Sequence, residues 1–282
     1  MELLRSLGSL IEPPSEETSR IARLLDLDSI PEVAEHTDLF LFQLYPFASV
    51  YLDDHGKLGG EARDRIAGFW RALDLSPPPE ADHLTVLLAF YSQLLEHEST
   101  AGQEDRDQWR HIRAAFFWEH LMSWLPVYID RVRDLDHSFY GGWANLLAQA
   151  LSEEAGDLTC PSQLPLHLRE APPIIDPRQA AGDDFLEALL SPVCSGFILV
   201  RDDLARAGRQ LQLGVRAGER RYVLKALLGQ DDKATLQWLS DEAGRWTEKH
   251  SAWEPITGPI ATFWSSRATA TATLLADLAK DL

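Results

Sequence analysis

Apolar positions recur at helical spacing along most of the chain. In residues 61–75, Ile66, Phe69, Trp70 and Leu73 fall at i, i+3, i+4 and i+7, one face of a 3.6-residue helix. Leu84, Leu87, Leu88, Tyr91, Leu94 and Leu95 repeat the pattern after a run of three prolines, and Phe139 to Leu151 repeats it again. Ser15 followed by Glu16 and Glu17 signals a helix start, and Pro31 opens another helix that runs into "LFLFQLYP" and stops at Pro46. Residues 106–124 predict one long helix, apolar nearly all round at "AAFFWEHLMSW" and broken or kinked at Pro126. Further helices are expected from Asp202 or Asp203 to Leu211, in "AGERRYVLKALL", in "DKATLQWLSDEAGRW", and in a Thr-rich tail. Period-two alternation is scarce, and "SGFILV" (195–200) is the best strand candidate. The expectation is an all-α fold.

Periodicity fades across 156–178, where "GDLTCPSQLPLHLREAPPIIDP" holds five prolines. This predicts a helical domain over 1–160, a Pro-rich linker over 161–178 and a C-terminal helical extension over 179–282. Charge divides along the same line. The chain of 282 residues carries a net charge of −18, and residues 1–160 hold 12 basic and 28 acidic side chains, a net −16. Residues 196–229 reverse the sign, with seven basic against three acidic side chains. Such acidity opposes nucleic acid or an anionic membrane as the main partner and suits a cationic one. The basic 196–229 segment, with two short helices around "LQLGVRAGE", keeps a DNA-binding regulator as an alternative. Cys160 and Cys194 are too few for a disulfide framework and lack metal-ligand spacing. Neither a secretory leader nor an apolar run of about 20 residues is visible, so a soluble cytoplasmic protein without stable membrane insertion is expected.

No phosphate-binding, zinc-protease or nucleophile-elbow motif occurs. The chemistry concentrates in "PPPEADHL" (77–84), where Glu80, Asp82 and His83 arrive within four positions after the prolines. Three uses compete. Asp82 is placed to cap the following helix with His83 in its first turn; the pair can bind a ligand; or it can act as a hydrolytic dyad if a nucleophile approaches. Tyr45, Pro46, Phe47 and Tyr51 in "LYPFASVYL" form an aromatic cluster, and Trp124 adds to it from the later helix.

Taken together, residues 35–155 resemble the TorD/DmsD family of cytoplasmic redox-enzyme maturation chaperones. The resemblance rests on five segments in order: "LYPFASVYLD", "GKLGGE", "PPPEADHL", "FFWEHLMSWLPVYIDRV" and "DHSFYGGWANLLAQAL". Ala81, and the lack of a proline directly after Glu80, depart from the family pattern, whereas Glu80, Asp82 and His83 are retained. The resemblance implies a TorD-like helical bundle and a non-enzymatic chaperone. Its partners would be an apo-molybdoenzyme catalytic subunit and that subunit's twin-Arg signal peptide. It implies a peptide groove built from Tyr45, Pro46, Phe47, Ser49, Tyr51, Gly60, Glu80, Asp82, His83, His120 and Trp124. It implies no resident cofactor or metal, leaves room for transient molybdenum-cofactor or nucleotide binding, and fits a monomer or a domain-swapped dimer.

Overall fold

The computed structural model describes residues 2–179 and 182–282. Among the described residues it contains seventeen α-helices, two π-helical turns and no strand. The all-α expectation therefore holds, and "SGFILV" is not a strand. Ser195 closes a short helix, Pro192–Ser195, and Val200 becomes the N-terminal flank of the helix Arg201–Leu211. The chain divides into two compact units, one from residues 1–49 and 58–167, the other from 50–57 and 168–282. The proline-rich segment is thus split after His167 and is partly helical, at Leu166–Glu170.

In the first unit, Ser15 caps Glu16–Leu24 through Thr18, as its spacing foretold. The helix Glu2–Ser9 lies on Leu84–Thr100, an approach that Gly8 permits. A Cβ there would stand 3.3 Å from Leu88 Cβ, and the Gly8 carbonyl accepts from Thr85 Oγ1 at 2.9 Å. Trp143 Nε1 donates to the Leu7 carbonyl at 3.0 Å, so the same helix also packs on Ser138–Asp157. The long helix expected over 106–124 is divided. Gln103–Phe116 is α-helical, Phe117–Leu121 is a π-turn, and Leu125–Asp134 begins anew with Pro126 in its first turn. Proline lacks the N–H that a continuing helix would use, and a first turn leaves that donor unused anyway. A second π-turn, Thr37–Gln43, follows Val33–His36, with Leu44 N donating to Leu39 O at 2.6 Å. The i+5 spacing stacks Leu44 over Leu39, and both are buried.

In the second unit, Asp232–Ala252 and Pro259–Asp281 pack along each other and bury Trp246 and Trp264. The Thr-rich tail is thus a full helix. The helix starting at Arg201 is capped by Asp203, whose carboxylate accepts from Val200 N at 2.8 Å. Its basic neighbours find carboxylates inside the unit: Arg206 meets Asp203 and Glu242, each at 2.9 Å, while Arg221 and Lys225 share Asp183 at 3.2 and 3.3 Å. Helices Arg201–Leu211 and Arg220–Leu228 are joined through residues 212–219, longer than the tight turn of a helix-turn-helix. No helix of the described residues is long and apolar enough to cross a membrane.

Gly196 is the tightest backbone approach in this unit. Its φ is +82°, and a Cβ built on it would lie 2.1 Å from Ala268 N and 2.6 Å from Arg267 C. Its carbonyl accepts from buried His250 Nε2 at 2.7 Å. We expect Gly196→Ala to cost about 3 kcal/mol or more, because both the left-handed backbone and the clash with backbone atoms oppose a methyl. Urea titration of tryptophan fluorescence should show a lowered midpoint; an unchanged midpoint contradicts the packing described.

Candidate functional site

Two segments far apart in sequence meet in a single antiparallel bridge between Phe47 and His83. Leu84 N donates to Pro46 O at 2.8 Å, and Ala48 N donates to Asp82 O at 2.9 Å. Proline at 46 cannot donate, so its carbonyl alone faces the partner, and helices begin directly after the bridge at Ala48 and Leu84. The rings of Phe47 and His83 meet edge to face, with centroids 4.7 Å apart.

The roles within "EADH" differ from the expected ones. His83, not Asp82, is the N-cap, its Nδ1 accepting from Thr85 N at 3.3 Å. Asp82 precedes the cap and is only 2% exposed; its carboxylate accepts from Ser49 N at 3.3 Å. Ala81 is also buried, which leaves Glu80 as the exposed carboxylate of the loop. Ser49 Oγ in turn accepts from Gly59 N at 3.1 Å, bringing the glycine turn against the same corner, with Gly60 opening the next helix. Arg63 braces the proline run from outside, its Nη2 donating to Pro79 O at 2.7 Å.

Burial lowers the His83 pKa, while Glu12, Glu80 and Asp82 pull it upward. With Nδ1 accepting, the neutral ring carries its proton on Nε2. Glu12, which the sequence reading did not name, acts electrostatically on His83. It stands 71 positions before His83 in the chain and reaches this corner because the preceding helix, Glu2–Ser9, packs on Leu84–Thr100. No local motif marks it. The corner thus carries two exposed carboxylates, Glu12 and Glu80, beside an aromatic–imidazole pair.

The other named residues are dispersed. Tyr45 is partly exposed and directly precedes the bridge. Tyr51 is buried and belongs to the second unit. Trp124 is fully buried, donating from Nε1 to His120 O at 3.0 Å, and its ring packs on Tyr128. It is a core side chain and offers no surface to a ligand. His120 is likewise buried, between Phe69, Phe116 and His167.

Asp82 and His83 do not form a dyad, since one faces Ser49 and the other Thr85. Of the nearby hydroxyls, Ser49 Oγ accepts from Gly59 N and Thr85 Oγ1 donates to Gly8 O. Among the described residues, no three His, Cys, Asp or Glu side chains come together to hold a metal ion. The fold and site define a helical scaffold that presents an acidic, aromatic corner fixed by backbone hydrogen bonds. The family profile described as nitrate reductase delta subunit matches residues 12–130, from Glu12 through both bridged segments. The chain is 28% identical over 169 residues to chaperone protein TorD of Shewanella pealeana, covering 53% of this chain and 72% of that protein. It is 31% identical over 126 residues to chaperone protein TorD of Vibrio vulnificus, covering 40% of this chain and 58% of that one. Through this region the chain is similar to the TorD/DmsD-like maturation chaperones.

Two predictions follow from these positions. Asp82→Ala should cost about 1–3 kcal/mol by leaving the buried Ser49 N–H without an acceptor, whereas Asp82→Asn, which keeps an acceptor oxygen, should cost less. Equal losses in chemical denaturation would contradict the assigned role. Burial lowers the pKa of His120 to about 3, with His167 adding to the effect, and those of His167 and His250 to about 4. Folded chains keep these rings neutral, while unfolded chains protonate them below about pH 6.5, so stability falls as pH drops from there towards 4. Each ring contributes a slope of up to about 1.4 kcal/mol per pH unit. Replacing His167 by Gln should flatten the pH dependence of the urea midpoint; an unaltered slope would refute it.

Proposed function

We propose that this protein is a cytoplasmic chaperone that binds the twin-Arg signal peptide, and the apo form, of a molybdenum-cofactor oxidoreductase, assisting its maturation before export or assembly. The observation that carries the reading is the acidic corner: Glu12 and Glu80 stand exposed beside His83, within the residues matched by the family profile. A twin-Arg signal joins two guanidinium groups to an apolar stretch. Exposed carboxylates suit the guanidinium groups, because Arg pairs with carboxylates bidentately and Lys does not. Asp82 acts indirectly, holding Ser49 and the bridge in place. The net −16 of residues 1–160 also favours approach of a cationic segment.

The test uses the full-length protein and synthetic signal peptides bearing either Arg-Arg or Lys-Lys, with binding read by calorimetry. The Arg-Arg peptide should bind more tightly, and Glu12→Gln with Glu80→Gln should weaken it about fivefold to tenfold. No binding to any such peptide, together with no oxidoreductase co-purifying from the native host, would overturn the proposal.

A further inference from the structure

Residues 50–57 follow directly on the bridged segment, yet they belong to the second unit. Val50, Tyr51 and Leu52 are buried, and the turn after them is held by residues of two short helices of that unit, Gly182–Leu190 and Pro192–Ser195, and by Ser191 between them. Buried Ser191 donates from Oγ to Asp53 O at 3.0 Å, and buried Cys194 Sγ reaches Asp54 O at 3.7 Å. Lys57 Nζ meets Glu187 Oε1 at 2.8 Å, with His55 Nδ1 3.6 Å from the same oxygen. Glu187, Ser191 and Cys194 all lie outside residues 12–130, the stretch matched by the family profile.

The loop so held begins and ends at the acidic corner. Ser49 Oγ accepts from Gly59 N at 3.1 Å and closes the loop at its base, while Ser49 N donates to the Asp82 carboxylate at 3.3 Å. Ordering residues 50–58 costs far more conformational entropy than one hydrogen bond at the base returns. Burial of Val50, Tyr51 and Leu52, with the contacts from residues 187–194, supplies the rest. Ser49 is therefore the point where the corner and the loop meet: one of its atoms serves Asp82, another the glycine turn.

We propose that the second unit is a positioning element for the acidic corner. By holding loop 50–57 through Glu187, Ser191 and Cys194, it keeps Ser49 and Gly59 engaged and so keeps the bridge between the Pro46 and Asp82 segments in register. The inference rests on the signal-peptide reading above for its binding consequence, and it gives the C-terminal extension a part in shaping that peptide's site. Glu187, Ser191 and Cys194 are positioning residues, acting through the loop.

The experiment compares the full-length wild-type protein with Ser191→Ala, Glu187→Lys, the charge swap of Lys57→Glu with Glu187→Lys, and the control Arg206→Ala, whose partners Asp203 and Glu242 lie outside the loop. Residue-resolved amide hydrogen exchange and calorimetric binding of the Arg-Arg peptide are measured on each, with circular dichroism verifying folding. Ser191→Ala and Glu187→Lys should speed exchange at the Ser49 and Gly59 amides about tenfold and weaken peptide binding about threefold to tenfold. The charge swap should bring both back towards the wild-type values, and Arg206→Ala should move neither. If exchange quickens only within 50–57 while Ser49 and Gly59 stay protected, if the charge swap restores nothing, or if Arg206→Ala acts like the loop variants, the positioning role is overturned. It is equally overturned if the wild-type protein binds the peptide and the loop variants bind it as tightly. If the wild-type protein binds no such peptide, the signal-peptide reading falls, and the exchange at Ser49 and Gly59 decides the positioning role by itself.

Discussion

Two backbone hydrogen bonds, Leu84 N to Pro46 O and Ala48 N to Asp82 O, are the constraint on which the candidate site depends. Each donor belongs to a buried residue at the start of a helix, where no intrahelical carbonyl is available. Leaving either donor unpaired away from water would cost as much as a broken hydrogen bond. The bridge satisfies both and fixes two otherwise independent loops in one register. Once it forms, Phe47 meets His83, Asp82 meets Ser49, and Ser49 holds the glycine turn. A motif of eight residues thereby becomes a rigid corner without any sheet to support it.

Within that corner the ionisable groups separate by burial. Asp82 is enclosed and engaged with a backbone N–H, a position that stabilises structure and removes it from a ligand. Glu12 and Glu80 remain in solvent, where a carboxylate is cheap to keep charged and free to exchange water for a cationic partner. His83 sits between these extremes, half-buried and neutral, with one nitrogen serving the helix start. In the second unit part of the basic segment is paired in the same way, Arg206 with Asp203 and Glu242, and Arg221 and Lys225 with Asp183.

The sequence by itself determined the helical class, most helix positions, the change of character near 156–178 and the two motif segments. These are local properties: apolar spacing, prolines and capping residues act within a turn or two of the chain. It also carried the family resemblance that residues 12–130 bear out. Only the tertiary structure decided which of the named residues are enclosed and which reach the surface. Trp124 and His120 look like aromatic groove residues in sequence but are consumed by the core, because a helix apolar all round has to be enclosed. Glu12 carries no motif and reaches His83 only through packing of the first helix. The exchange of roles between Asp82 and His83 is likewise non-local, since Ser49, 33 residues away, supplies the N–H that claims the carboxylate. Spacing along a chain reports which face a side chain takes on its own helix; what stands opposite that face is set by contacts between distant segments.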